Sequence, residues 1–394
     1  AELELSEVVT PETRAKFLGN DEYRLMSWKG FEPIDECYRK MWDIPRPMLH
    51  QMVVTPPKAW DAILNEDPYP VKAMICWSSN PLAWAPNTKH VYKALDLLVV
   101  VDYWKTPTAA LADYILPAAD SLERPLATTG EDNLDILLCG DRVVEPEYER
   151  HVDYNFFRDL GMRLGQEEYW PWETYEDVIA YRLERTGTTY EQAMERGVWA
   201  KGRPEFYKHG KTLANGQIKG FATPSRKAEI FPSVLQDCGY DPVPTYRELP
   251  ETPLSNPELA KEYPLILTTG HRVYSFFHSA WTNIAHQRIL EPWPYIELNE
   301  EDARERQISE GEWLWVESLR GKIKAKARIS KGVIKGAVSM CRPNYKHACK
   351  ELNLPGFDWD QANPNVLTTA EGSDPGFGAA PMRSSLCKVS KFSE

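Results

Sequence analysis

Three stretches of the sequence set small polar or charged side chains where an apolar run gives way to a turn. The first is VKAMICW (71–77), followed by Ser78, Ser79, Asn80 and Pro81. In parallel sheets, ligands collect beyond the carboxyl ends of the strands, where loops leave backbone donors unpaired. Hydroxyl and amide groups at such an exit suit a phosphate or a ribose. The second stretch is DLLVVVDYW (96–104), in which Asp102 ends a run of uncharged residues. A carboxylate there can accept from paired N–H donors such as those on the edge of a guanine. Both positions also have plainer readings: Asn80-Pro81 is a common turn initiator, and Asp102 would serve to cap a helix starting at Thr106-Pro107.

The third stretch, TTGHRVYSFFHSAWTN (268–283), is denser, with Gly270, His271, Arg272, His278, Ser279 and Asn283 in one turn-rich segment after the apolar run YPLILTT. Glycine after a strand lets backbone approach a ligand closely, and an Arg with a His can neutralise a pyrophosphate. His271 and His278 have no carboxylate or third imidazole at ligand spacing, which argues against a zinc site. Further on, QANPNVLTT (361–369) sets Asn363 and Asn365 beside hydroxyls, and Gly376, Gly378, Arg383 and Lys388 follow. Amides suit the edge of a fused pterin-like heterocycle, which offers both donors and acceptors, but they are also ordinary loop residues. ATPSRKAEIF (222–231) reads as a Pro-led turn into a short strand.

Composition removes several classes of function. A chain of 394 residues, 42% hydrophobic and 26% charged, is long enough for two or three domains with real cores. Its net charge of −12 lacks the basic footprint of a nucleic-acid binder. No window approaches the ~18 uninterrupted apolar residues of a spanning helix, so no direct membrane insertion is expected. The first thirty residues show neither a basic start nor an apolar signal core, which leaves a cytoplasmic setting slightly favoured over an exported one. The seven cysteines fall singly, without a C-x-x-C pair, so local motifs assemble neither an iron–sulfur cluster nor a structural zinc. No G-x-G-x-x-G, P-loop lysine, G-x-S-x-G or H-E-x-x-H occurs. With 31 prolines and 14 tryptophans, long ordered loops on aromatic platforms are expected.

The elements that must position these residues form two patterns. From 68 to about 120, β-branched runs alternate with helical stretches over 87–95 and TPTAALA, as in a parallel sheet covered on both faces. A helix is expected over 151–165, then an irregular connecting layer over 166–260. From 261 the period shortens to two. GKIKAKARIS (321–330) alternates Lys and Arg with Ile323, Ala325, Ala327 and Ile329, one face buried and one solvated. With WLWVESL (313–319) and GAVSM (336–340) it predicts a compact β-barrel or sandwich. LNEEDARERQISEGEW (298–313) reads as a helix with Asn299 as N-cap and Gly311 past its end. The expected segments are 1–165, an α/β region incomplete at its N-terminus; 166–260, the irregular connecting layer; and 261–394, the barrel.

Taken in order, YPVKAMICWSSNP, LLVVVDYWKTPTAALADYILPAAD, TPSRKAEIF, YPLILTTGHRVYSFFHSAWTN and NVLTTAEGSDPGFGAAPMRSSLCKV resemble the C-terminal half of the molybdopterin guanine dinucleotide enzymes of the DMSO reductase superfamily. The likeness runs from about residue 68 to the end and looks strongest toward the subgroup of acetylene hydratase and the catechol dehydroxylases. It implies an α/β fold, a Rossmann-like parallel-sheet region that binds dinucleotide over 1–165, followed over 261–394 by a double-psi β-barrel that binds molybdopterin dinucleotide. It also implies a molybdenum or tungsten bis(molybdopterin guanine dinucleotide) cofactor. Asn80, Asp102 and Asp153 match residues that hold guanosine ends, with Ser79 beside them. Gly270, Arg272, His278 and Ser279 match a loop around pyrophosphate and pterin, Asn365 an amide reaching a pterin, and Arg383 a terminal basic contact. His271 departs from the family pattern, which places Arg directly after the glycine.

The resemblance implies further that a [4Fe-4S] cluster and the residue ligating the metal belong to a preceding N-terminal part. These residues would then be the cofactor-holding remainder of a larger catalytic subunit, with no catalytic residue to nominate. A small-molecule substrate and an electron-transfer iron–sulfur subunit are the expected partners. Two-electron oxidoreduction, redox-neutral hydration or transhydroxylation, and a truncated module that binds dinucleotide without turnover all fit; an unrelated α/β binding protein for small acidic ligands is the remaining competitor. Trp84, Trp104, Phe276, Phe277 and Trp281 line a substrate funnel or belong to the core.

Overall fold

The structure, a computed structural model, describes residues 11–12, 25, 56–86, 91, 94–129, 136–184, 187–200, 206–221, 223–271, 273–276, 281–341 and 358–393. In chain order the strands are β1 (Ala73–Trp77), β2 (Leu97–Asp102), β3 (Tyr114–Pro117), β4 (Leu126–Thr129), β5 (Ile136–Gly140) and β6 (Val198–Ala200). They continue with β7 (Leu265–His271), β8 (Tyr295–Leu298), β9 (Trp313–Ser318), β10 (Gly321–Ile329), β11 (Ala337–Cys341) and β12 (Ser385–Lys391). The described chain divides into two compact units, one of 99–104 and 114–220, the other of 56–98, 105–113 and 221–393. The contiguous segments 1–165 and 166–260 each contribute to both units, while the described part of 261–394 falls wholly in the second.

In the first unit β2 and β3 pair in parallel, Val99 opposite Tyr114 and Asp102 opposite Pro117. These apolar runs were read as parallel strands, and they are. The expected helix over TPTAALA is a single 3-10 turn, Ala109–Leu111, because eleven residues between β2 and β3 leave no room for more. The helix expected over 87–95 falls largely outside the described residues. The one expected over 151–165 runs over Asp153–Arg163.

Residues 166–260 are more regular in their first part than composition suggested. The helices Tyr175–Leu183 and Tyr190–Arg196 each start at a threonine in a reciprocal capping box, Thr174 with Asp177 and Thr189 with Gln192. These T-x-x-D and T-x-x-Q spacings were the signal. The helices bury Ile179, Leu183 and Ala193 with Ala127, against Leu137 and Cys139 of the antiparallel sheet β4–β5–β6.

The second unit is built on a closed six-stranded barrel in the order β10-β8-β11-β7-β12-β9. Two pairs are parallel, β8 with β10 and β7 with β11. The alternation of β10 behaves as read. Ile323, Ala325 and Ala327 are fully buried in a core with Leu267, Ile296, Leu314 and Met340. Lys322, Lys324 and Lys326 face outward over Trp315, Phe392 and Trp293. The helix after Asn299 is shorter than expected, Glu300–Glu305. Gln307 takes φ 54°, and the Ile308 N–H closes back on the Ala303 carbonyl at 2.8 Å, ending the helix in a Schellman-like turn. Gly311, at φ 74°, serves the turn into β9 instead. Among the described residues no helix is long and apolar enough to cross a membrane.

Leu314 is fully buried in the barrel core. Its replacement by Ala is expected to cost about 2–5 kcal/mol in urea titration, the usual range for a core leucine. Lys324→Ala, on the outer face, should cost less than about 1 kcal/mol. Equal losses would mean that the barrel interior is not the stabilising core.

Candidate functional site

In the second unit the chain leaves β1 through Ser78 at φ 48°, a left-handed conformation that turns the next residues inward. Asn80 is 6% exposed there, at the start of the short helix Pro81–Trp84. Its Oδ1 accepts from the backbone N–H of Thr108 at 3.2 Å and from the Thr108 hydroxyl at 2.8 Å. The hydroxyl in turn accepts from the Leu82 N–H at 3.2 Å. The Asn80 Nδ2 is buried with no partner among the described residues. A buried donor left unmade costs about 1–3 kcal/mol, a deficit that an acceptor on a ligand would remove. Ser79, beside it, is half-buried.

The other end of the same helix is held by the 3-10 turn Pro364–Val366. Asn363, fully buried, donates from Nδ2 to the Leu82 carbonyl at 3.0 Å and accepts the Asn365 N–H at 3.0 Å. Asn365 donates from Nδ2 to the Ala83 carbonyl at 2.6 Å. One N–H of the Asn365 amide is therefore committed to the fold.

At the end of β7, Thr269 lies opposite Met340 and His271 opposite Cys341, so Gly270 stands unopposed as a bulge with φ 89°. A Cβ on Gly270 would lie 3.6 Å from Arg383 Nε and 3.7 Å from its Nη2, which brings the exposed Arg383 guanidinium against this bulge. The Thr269 hydroxyl ties β7 to the same segment by donating to the Met382 carbonyl. Asn283 is half-buried in a turn. The side chain of His271, and Arg272, His278 and Ser279 altogether, lie outside the described residues.

In the first unit Asp102 ends β2 half-buried. Its Oδ1 accepts the Trp104 N–H at 2.9 Å, so it closes its own turn and does not cap Thr106-Pro107. Burial pushes its carboxyl above the usual carboxylate range, and the charge of Asp153 adds to the rise. Asp153 opens the helix Asp153–Arg163 and keeps a buried Oδ1 without a partner. Two neighbouring acceptors with an open oxygen suit a ligand edge carrying more than one N–H donor.

Chemistry by the protein's own side chains is sparse. Among the described residues no group of three His, Cys, Asp or Glu gathers as for a metal. Burial pushes the Cys76 thiol up to about 11 and the Cys387 thiol up to about 12, so both stay protonated and unreactive. Trp84, Trp104 and Trp281 are 46, 40 and 49% exposed and are not core residues; Phe276 is half-buried and Phe277 lies outside the described residues. Thr108 was not singled out from the sequence. Its signal was a pair of hydroxyls flanking Pro107 just past the second strand, in WKTPTAAL.

Residues 265–385 match the Molydopterin dinucleotide binding domain family. The chain is 34% identical over 330 residues to the acetylene hydratase of Syntrophotalea acetylenica, a match covering 82% of this chain and 44% of that protein. It is 26% identical over 405 residues to the dopamine dehydroxylase of Eggerthella lenta, covering 84% of this chain and 39% of that one. Among solved structures, acetylene hydratase from Pelobacter acetylenicus superposes with a TM-score of 0.85 at 30% identity, over 98% of this chain and 53% of that chain. The chain spans about half the length of the relatives it matches.

The raised pKa of Asp102 sets a pH dependence. Because the folded state favours its protonated form, the carboxylate lowers stability at neutral pH. That penalty fades as pH falls through the folded pKa toward the ordinary value of about 3.9. Asp102→Asn retains an oxygen for Trp104 and removes the charge. It is expected to raise the thermal midpoint at pH 7 and to lose this advantage near pH 3. A gain of equal size at both pH values would contradict the assignment.

Proposed function

Because the chain belongs to the DMSO reductase superfamily of molybdopterin enzymes, we propose that it is the cofactor-holding part of a molybdenum or tungsten catalytic subunit. The observation that carries this reading is the buried Asn80 amide, whose oxygen accepts two hydrogen bonds and whose nitrogen has no acceptor among the described residues. Buried polar groups are usually hydrogen-bonded, so a buried amide nitrogen beside a strand exit supports a ligand contact there. On this reading Asn80 with Ser79 in the second unit, and Asp102 with Asp153 in the first, hold guanosine ends. Gly270, His271, Arg272, His278, Ser279, Asn283 and Arg383 surround pyrophosphate and pterin, and Asn365 meets a pterin edge with the part of its amide left free by Ala83. The parallel pairs β8–β10 and β7–β11 are read as those of a double-psi barrel.

When bound, the bis(molybdopterin guanine dinucleotide) would supply a dithiolene-held metal for redox or hydration chemistry. This chain's residues bind and orient: carboxylates and amides fix the nucleotide ends, and the Arg383 guanidinium offsets phosphate charge. The names of the relatives include a hydratase and a dehydroxylase, so the shared property, and the function proposed here, is possession of the cofactor. The metal ligand and a [4Fe-4S] cluster are assigned on this reading to further sequence of the catalytic subunit. An electron-transfer iron–sulfur protein and a small-molecule substrate are then its partners.

The test is direct. The purified protein, expressed in cells that make the cofactor, is oxidised in acid and assayed for pterin fluorescence, released guanosine monophosphate and molybdenum or tungsten. Pterin and GMP in a one-to-one ratio are expected, with Asn80→Asp reducing both by roughly tenfold or more, the scale of a lost donor to a charged group. Protein free of pterin and guanine would end the proposal.

A further inference from the structure

Resting on the dinucleotide reading of this site, we infer that Thr108 is a positioning residue that holds the Asn80 amide in one orientation, as a donor toward the bound nucleotide. The Leu82 N–H donates to the Thr108 hydroxyl oxygen at 3.2 Å, and the hydroxyl oxygen stands 2.8 Å from Asn80 Oδ1. The hydroxyl has a single proton, and the oxygen of the amide is the acceptor within its reach. The Thr108 backbone N–H points at the same oxygen from 3.2 Å.

A flipped amide would set its NH2 group against the Thr108 backbone N–H and leave the buried hydroxyl proton without its acceptor, so the two bonds together disfavour the flip. Thr108 and Leu82 are fully buried and Asn80 nearly so, which keeps water from relaxing the arrangement. The consequence is a nitrogen with two N–H groups and nothing to receive them among the described residues. It therefore selects an oxygen acceptor, whether phosphoryl, ribose or carbonyl, and disfavours any group that brings its own N–H to the same place. Thr108 does not itself touch the ligand on this account; it acts through Asn80.

The experiment is a double-mutant cycle read by calorimetric titration of the full 394-residue chain with guanosine diphosphate, with thermal unfolding recorded for each variant. Thr108→Val removes the hydroxyl and keeps the shape; Thr108→Ser keeps the hydroxyl. Thr108→Val is expected to weaken binding by roughly tenfold. Thr108→Ser should bind as the parent does, and Thr108→Val should cost nothing further in an Asn80→Asp background. Should Thr108→Val fail to fold, the Thr108→Ser comparison and Asn80→Ala carry the cycle through Thr108→Ala. If the Thr108 loss persists undiminished without the Asn80 amide, or if Thr108→Val binds normally while Asn80→Asp does not, the positioning role is wrong and the site reading survives. If both Asn80 variants bind guanosine diphosphate as the parent does, the site reading itself fails.

Discussion

A helix of four residues cannot hold itself. Pro81–Trp84 is far short of the length at which helical turns become self-sustaining, although the Ala83 N–H meets the Asn80 carbonyl and the Ala85 N–H meets the Pro81 carbonyl. The groups its ends expose must be met by other parts of the chain. Thr108 takes the Leu82 N–H; Asn363 and Asn365 take the Leu82 and Ala83 carbonyls. This requirement joins residues separated by 26, 281 and 282 positions into one buried network. Asn80 stands at its edge, with its oxygen used by the network and its nitrogen turned out of it.

How much of this was legible follows from the range over which each signal acts. The inward set of β10 could be read because alternation is a property of nine consecutive residues, and the barrel buries them as the pattern implies. The N-cap at Asn299 was legible for the same reason, since its side chain meets the Glu301 N–H two residues on. The end of that helix was not. Ile308 is 5% exposed in the barrel core, and the need to dock it there stops the helix at Glu305, well before the glycine that looked like its terminator.

The site divides along the same line. Asn80 and Asp102 were visible because a polar residue ending an apolar run is a local event. Asn363, by contrast, looked like a pterin contact or a loop residue of no account, and is a buried pin on a helix carbonyl far away in sequence. Half of Asn365 belongs to that structural task as well. Within its own unit each candidate has a different character: Asp102 and Asp153 are acceptors kept partly from water, and Asn80 is a buried donor.

The bulge at Gly270 adds one residue to β7 while the barrel ladder continues on either side of it. Thr269 and His271 face consecutive residues of β11, so the glycine is an added residue and the alternation of β7 restarts after it. Space is not what requires glycine here, since a Cβ would meet the Arg383 guanidinium at ordinary van der Waals distance. The backbone requires it: φ of 89° is open to glycine and strained for residues with a side chain. The ladder thus absorbs one residue at the end of β7.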